Sequence, residues 1–535
     1  MRVFAKTLSI RASVIGIVAA CAVAGGAQVA SAETLADAIT AAYQSNPNIQ
    51  AQRAALRALD ENYTQARAAY GLQANAQVAE VYGYLKGPST TPFGSNKPLG
   101  LEAASQVNQL GLSQSLYTNG RYAARLEGVE AKIKASRESL RRIEMDLLVR
   151  VTNAYVTVRR DREILRISLG GEAWLRKQLQ DTEDKYAVRQ VTLTDVQQAK
   201  ARLASASTQV VNAQAQLNLS IANYAALVGH LPTELDPEPD IDDLPKALDE
   251  AYNQAEANNP VVLSAIFTEK ASRLGVAEAS AQRLFSVSAR FDYRNAPTYP
   301  YSAKIRNRED AISASVTLTQ PLFSAGQINS TIRQTLEENN RDKLLIDDAR
   351  RNMVYSVSEA WEQLVAARRS LVTIEEEMKA NTIAFYGVRE EERFALRSTI
   401  EVLNAQAELQ NSQLGFVRSR ANEYVSRVQL LSQIGTLEVG NLAPGIAPYD
   451  PERNFKKVRY RGMLPTDLIV QTLDKVSLPL AAKKPEAGDT TPIRPQSSEL
   501  PAKPVSADKV EPPPSINDLP TLKDSDAPMT TAPKG

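Results

Sequence analysis

The chain carries 28 prolines, yet none lies between Pro98 and Pro232 or between Pro321 and Pro444. Proline removes a backbone N–H and clashes with the preceding turn, so stretches this long without one are free to form helices longer than most globular domains use. Leu126, Val129, Ile133, Leu140, Ile143 and Leu147 keep the near-seven spacing of a coiled coil in the first stretch. Val357, Trp361, Leu364, Leu371 and Met378 do the same in the second. Long helices are expected at about 121–187 and 327–394. At about 1.5 Å per residue the first is a rod of roughly 100 Å. Turn signals near Arg189-Gln190 and Arg397-Ser398 reverse each rod into an Ala/Gln-rich return helix, about 192–229 and 399–435.

The two stretches belong to two copies of one unit. LADAITAAYQSNPNI from Leu35 reads like LDEAYNQAEANNPVV from Leu248, with Asn46-Pro47 against Asn259-Pro260. SQSLYTNG from Ser113 pairs with TQPLFSAG from Thr319, Ala154-Tyr155 with Ala360-Trp361, and Val228-Gly229 with Ile434-Gly435. The first repeat spans 33–230 and the second 248–442, joined by an acidic, Pro-rich linker at 231–247. Each begins with a helical pattern interrupted at its Asn-Pro pair, since the residue before proline is pushed out of the helical region. The period then changes to two. Phe285, Val287, Ala289, Phe291 and Tyr293 alternate with polar residues, as do Ile312, Ala314, Val316 and Leu318. The first repeat has weaker equivalents, Leu72–Tyr84 and Ser105–Tyr117. These patterns predict β-hairpins at about 72–117 and 284–323, with strands of about the 9 to 11 residues that cross a bilayer.

The connections Lys86–Gly100 and Asn295–Glu309 read as exposed loops, the second carrying Lys304, Arg306 and Arg308, which could meet lipopolysaccharide phosphates or simply be solvated. Tyr82, Tyr84, Tyr117, Phe291, Tyr293 and Phe323 fall near strand ends, where an interfacial aromatic girdle belongs. A C-terminal segment at 443–484 follows the repeats. The tail at 485–535, with eleven prolines, is expected to be disordered.

Residues 1–32 have the form of a signal peptide: Arg2, Lys6 and Arg11, an apolar run from Ala12 to Ala24, and the small-residue cleavage site Ala30-Ser31-Ala32. Val18-Ala19-Ala20-Cys21 also resembles a lipobox, which makes Cys21 a candidate for lipidation. With 62 Lys+Arg against 61 Asp+Glu, the charge balance gives no sign of a nucleic-acid partner. One His, His230, and one Cys leave too few ligands for a zinc or haem site, and no metal or other cofactor is expected. No spacing of acidic residues resembles a catalytic pair, so the chain is not expected to be an enzyme. His230 reads as a linker residue.

A strand in lipid must have its backbone hydrogen bonds satisfied, so membrane strands occur only in closed barrels. Four strands per chain cannot close one, so several chains must contribute to a shared barrel, and rods this long would continue its pore as a tube. The fold class expected is α+β, mainly long α-helices, built from a duplicated helix–hairpin–helix–helix unit. The main competing reading is a periplasmic coiled-coil adaptor or scaffold, which would leave the alternating segments unexplained.

The order of elements, the duplication and the words SQSLYTNGR, TQPLFSAGQ, TDVQQA and EVLNAQ resemble the TolC-like outer-membrane efflux family over about 33–442. The resemblance implies a homotrimer whose twelve-stranded outer-membrane β-barrel is continued by a periplasmic α-helical barrel. It also implies docking to a periplasmic adaptor (membrane fusion protein) and an inner-membrane pump, either ABC or proton-driven. The function implied is that of an exit duct for tripartite efflux or type I secretion. By the same resemblance the periplasmic gate lies where the long helices reverse, at Tyr186, Thr194, Asp195, Phe394 and Arg397. Glu401 and Asn404 would stand at the pore constriction, Asn404 where a second acid is usual in the family. Three copies of Glu401 around one axis would favour cations. An Arg397–Asp195 link would hold the coils shut.

Overall fold

A computed structural model describes residues 32–88, 98–241, 244–300, 307–394, 396–476, 492–495 and 498–501. Residues 1–31 of the expected signal peptide, Cys21 among them, lie outside the described residues, as do Lys304 and Arg306.

Each repeat opens with two helices split at an Asn-Pro pair: α1 (Leu35–Ser45) and α2 (Pro47–Arg67), then α5 (Leu248–Asn258) and α6 (Pro260–Ala281). The asparagines explain why the pair occurs twice. The Asn46 side chain accepts from Asn48 N at 3.0 Å while its amide donates to Leu227 O at 3.3 Å. Asn259 accepts from Val261 N at 2.9 Å and donates to Gln433 O at 2.8 Å. One side chain thus caps a new helix and ties it to the last turn of the return helix, with proline at the position where no N–H is needed.

The rods are α3 (Arg121–Ala187) and α7 (Gln327–Arg393), each of 67 residues, and the return helices are α4 (Leu193–Val228) and α8 (Thr399–Ile434), each of 36. Both return helices end on a glycine in the left-handed region, Gly229 at φ 98° and Gly435 at φ 90°. At Gly435 a Cβ would also stand 2.5 Å from Asn258 O, so no other residue fits without backbone movement. The apolar cores lie where α1 and α5 cross the rods: Tyr155 sits in one and Trp361 in the other, both fully buried.

Between helices α2 and α3 lies the hairpin β1 (Gln73–Pro88) and β2 (Pro98–Tyr117), and between α6 and α7 the hairpin β3 (Ser286–Pro300) and β4 (Asn307–Thr319). The four strands form one antiparallel sheet in the order β1-β2-β3-β4. The register places Leu112 opposite Phe291, Phe291 opposite Ala314 and Tyr293 opposite Ile312, so the apolar residues share one face. Ile312, Val316 and Leu318 are exposed on it. The other face is polar, with Gln109 donating to Asp292 at 3.3 Å and Arg290 paired to Asp292 at 2.7 Å. Strands β1 and β4 are both open edges among the described residues.

The hairpin loops are shorter than expected. Strand pairing continues to Pro88 and Pro98, and to Thr298 opposite Asn307, beyond the apolar alternation, and Arg308 lies in β4. Backbone hydrogen bonds, not side-chain pattern, carry a ladder past the membrane-facing band. Pairing of β2 with β3 skips Ala296 and Pro297 while the register is kept, since proline has no N–H to give the ladder, and the register shifts only at Ser115/Tyr117.

The C-terminal segment climbs back along the first repeat as α9 (Val439–Leu442), α10 (Glu452–Val458) and α11 (Pro465–Lys475). Phe455 of α10 packs edge-on against Tyr63, ring centroids 5.0 Å apart. At the end of α11 the buried Asp474 accepts from Thr118 N at 2.8 Å, Gly120 N at 3.0 Å and Ala123 N at 3.3 Å. It caps α3, whose own N-cap residue, Gly120, has no side chain to do so.

The expectation of disorder from 485 onward requires correction at 492–495 and 498–501, the described part of the tail. Leu248 N donates to Ser498 O at 3.1 Å and Leu500 N to Lys246 O at 3.2 Å. Trp361 Nε1 donates to Ser498 Oγ at 2.7 Å, and Arg368 to Pro501 O at 2.8 Å. The first repeat has the same station filled by the linker: Glu33 pairs with Leu235, Tyr155 donates to Asp236 O at 2.8 Å, and Arg162 to Pro232 O at 3.3 Å. A buried indole N–H and guanidinium need acceptors, and the polar composition of the tail supplies them.

Candidate channel gate at the periplasmic tip

At the far end from the sheet each rod stops and reverses. In the first repeat α3 ends at Ala187, and Arg189 takes a left-handed φ of 60°. The freed carbonyls are recovered by Arg189 N to Tyr186 O and Gln190 N to Lys185 O, both 2.9 Å. Helix α4 then opens on a capping box: Asp195 accepts from Thr192 N at 2.9 Å and Thr192 Oγ1 at 2.7 Å, while Asp195 N donates to Thr192 Oγ1 at 3.3 Å. In the second repeat Glu401 plays the part of Asp195. It accepts from Ser398 N at 2.9 Å and Ser398 Oγ at 3.0 Å.

The two turns differ in their charge. Arg397 donates to Glu391 at 2.8 Å and to Glu401 at 3.1 Å, bridging the end of α7 to the start of α8. The Ser398 backbone and side chain, followed by Arg397, hold the Glu401 carboxyl below its ordinary range, and Glu391 and Glu401 push the Arg397 guanidinium up. The expected Arg397–Asp195 link is not formed within the chain, because each carboxylate is engaged by the cap of its own helix and Arg397 by the acids of its own turn. Tyr186, Thr194 and Phe394 are exposed around the tip.

What joins the two hairpins was not anticipated from the sequence. Lys185 on α3 meets Glu392 on α7 at 2.5 Å, and Arg202 on α4 donates to Asn404 on α8 at 3.0 Å. The signal was there: Lys185 and Glu392 carry opposite charges within two residues of the ends of equal rods. Asn404 therefore faces a cation of the other repeat. Behind the tip a small core holds all four helices together, with Leu175, Ala199, Ala206 and Leu403 in contact and Trp174 edge-on to Phe385 at 5.6 Å between centroids. The tip is a packed platform carrying ion pairs on its surface. Among the described residues no group of His, Cys, Asp and Glu could hold a metal ion, and no helix is long and apolar enough to cross a membrane.

The sequence profile of the outer membrane efflux protein family matches twice, at residues 38–230 and 251–436, once on each repeat. The outer membrane efflux protein BepC of Brucella suis biovar 1 (strain 1330) is 28% identical over 433 residues, covering 81% of this chain and 92% of the relative. The outer membrane protein TolC of Escherichia coli (strain K12) is 20% identical over 476 residues, covering 84% and 94%. In fold the chain is similar to the Campylobacter jejuni CmeC outer membrane channel, with a TM-score of 0.66 at 12% identity over 79% of this chain and 89% of that one. A duplicated pair of helical hairpins, an open four-stranded sheet and a profile match on both repeats lead to one assignment: the chain belongs to the outer membrane efflux protein family.

Proposed function

We propose that the chain is one subunit of a homotrimeric exit duct, a conduit rather than a catalyst, which passes substrate from an inner-membrane pump through the outer membrane. The observation that carries this reading is the open sheet. Among the described residues its edges β1 and β4 have no further strand beside them, its apolar face is exposed, and it runs directly into two 67-residue helices. Exposed apolar strands with free edges need lipid on one side and another strand at each end. Three chains supply twelve strands, an ordinary size for a barrel. The helical hairpins then form a periplasmic tube, with their tips available to a periplasmic adaptor and an ABC or proton-driven pump.

In this arrangement the tip ion pairs hold the tube closed, and Glu401 and Asn404 line the constriction. Exposed pairs of this kind are individually weak, which suits a gate that contact with a partner must open. Purified protein in detergent is expected to migrate as a heat-modifiable trimer and to form cation-preferring channels in planar bilayers. A monodisperse monomer that is soluble without detergent would refute the duct and support the periplasmic scaffold.

A further inference from the structure

Helix α11 is turned inside out. Asp467, Val470 and Asp474 are its buried residues, whereas Leu468, Ile469, Leu473 and Val476 form a continuous outward stripe, 49%, 63%, 56% and 88% exposed. Tyr70 donates to Asp474 at 3.1 Å, and Gly71 lies against the Asp467 carboxylate, so the helix sits beside the point where the first repeat runs into β1.

The repeats show what comes next to it. Within the chain the end of the first hairpin meets the start of the second: the Tyr117 ring packs on Phe285 at 5.6 Å, and Leu116 packs into the core that Tyr70 and Val470 share. By the sequence correspondence of the repeats, Leu116-Tyr117 become Leu322-Phe323 and Phe285 becomes Leu72. Leu322 and Phe323 are 92% and 90% exposed, and Leu72 is also exposed. The end of the second hairpin therefore lacks, in its own chain, the neighbour that the end of the first one has.

We infer that Leu322 and Phe323 of one copy seat against Leu72 and the outward stripe of α11 of the next copy, so that the C-terminal helix is an inter-subunit clasp at the foot of the barrel. The inference rests on the oligomeric duct proposed above. If β4 of one copy pairs with β1 of the next, Phe323, four residues beyond the end of β4, arrives at the foot of β1, where α11 lies. The contact is continuous with that strand pairing, which is why a second copy, and not the bilayer, is the occupant.

The only cysteine is Cys21, in the expected leader, so introduced cysteines report cleanly. The full chain carrying Phe323→Cys with Ile469→Cys, and separately Phe323→Cys with Leu72→Cys, is oxidised in the membrane and run without reductant. Both pairs are expected to give covalent dimers and trimers that each single variant lacks. Ile469→Asp with Leu473→Asp is expected to lower the heat-modifiable trimer fraction by about tenfold, the effect of losing one or two buried aliphatic contacts. An assembled protein with no ladder from the Ile469 pair overturns the clasp, as does quenching of a fluorophore at Ile469 by brominated lipid, which would place the stripe in the bilayer. If the unmodified protein is itself a monomer, the duct reading fails together with the clasp, so the two failures are separable.

Discussion

Replacing Asp474 with alanine should loosen the foot of α3, some 350 residues away in sequence. The carboxylate is fully buried and accepts from Thr118 N, Thr118 Oγ1, Gly120 N, Ala123 N and Tyr70 OH. Burial and the neighbouring Asp474 charge push the Tyr70 hydroxyl above the ordinary phenol range, in keeping with its place as a donor to Asp474. Alanine leaves these donors buried without an acceptor, at about 1–3 kcal/mol each, while relieving the desolvation of one carboxylate, worth several kcal/mol. The helix dipole loses its counter-charge as well, about 0.3–1 kcal/mol. The net is about 3 kcal/mol, in the range found when a buried charged network loses one partner. Hydrogen exchange read by mass spectrometry on peptides covering 118–123 should then be roughly 100-fold faster, that being the equivalent of about 3 kcal/mol of local opening. Asp474→Asn, which keeps one acceptor oxygen, should fall between parent and alanine. Exchange in Asp474→Ala within about twofold of the parent would show that Asp474 does not cap α3.

Three further outcomes are expected. Truncation after Thr491 should unseat the second repeat at its core and shift Trp361 emission to the red, whereas truncation after Pro501 should leave emission and assembly as in the parent; the reverse would refute docking of 492–501. Lys185→Ala or Arg202→Ala, each removing a tie between the two hairpins, should raise single-channel conductance in planar bilayers, and Glu401→Ala should reduce cation preference; unchanged conductance and selectivity would remove these residues from the gate. Because the folded-state pKa of Glu401 is lowered from 4.5, its contribution is present above that pH and is lost only as pH falls through the lower folded value. Acid opening of the tip should therefore begin below about pH 4.5 and shift on Glu401→Gln, as followed by conductance; opening already complete at pH 6 would exclude this carboxylate.

The rods were legible because helix length is limited by proline and the coiled-coil period is local information. The hairpins were legible from Ile312 to Leu318, where one face is apolar and the other polar, and less so beyond, where pairing depends on the opposite strand. Asn46-Pro47 and Asn259-Pro260 announced their function by repetition. The inward side of α11 was not visible: Asp467 and Asp474 look like its solvent side, yet Asp467 is held by the cap of its own helix and Asp474 is turned inward by the orphan N–H groups of a helix distant in sequence. The docked tail was hidden for a related reason, since Ser498 and Pro501 serve by offering acceptors, which composition cannot distinguish from disorder. At the tip, Asp195 and Glu401 were noted for their likeness to the family's gate positions, whereas the part the geometry shows, capping α4 and α8 from three residues after Thr192 and Ser398, was not read from the sequence. Within the chain Arg397 meets Glu391 and Glu401 rather than Asp195, because cap geometry within a turn is decided over a few ångströms that spacing does not resolve.

The station filled by 492–501 has a bearing on how a duplicated chain is completed. Copying a unit doubles its docking places, but it creates only one segment between the copies. Here that segment, around Leu235, runs parallel to the chain start at Glu33, while Glu499 runs antiparallel to Ala247. The second place has been filled from the opposite direction by a stretch from the far end of the chain. Matched halves therefore need not have matched connectors, and the residues to compare across the duplication are the receivers, Tyr155 with Trp361 and Arg162 with Arg368, rather than the strands they receive. A graft that swapped only the receivers would exchange the preferences of the two places, leaving the order of the chain as it is.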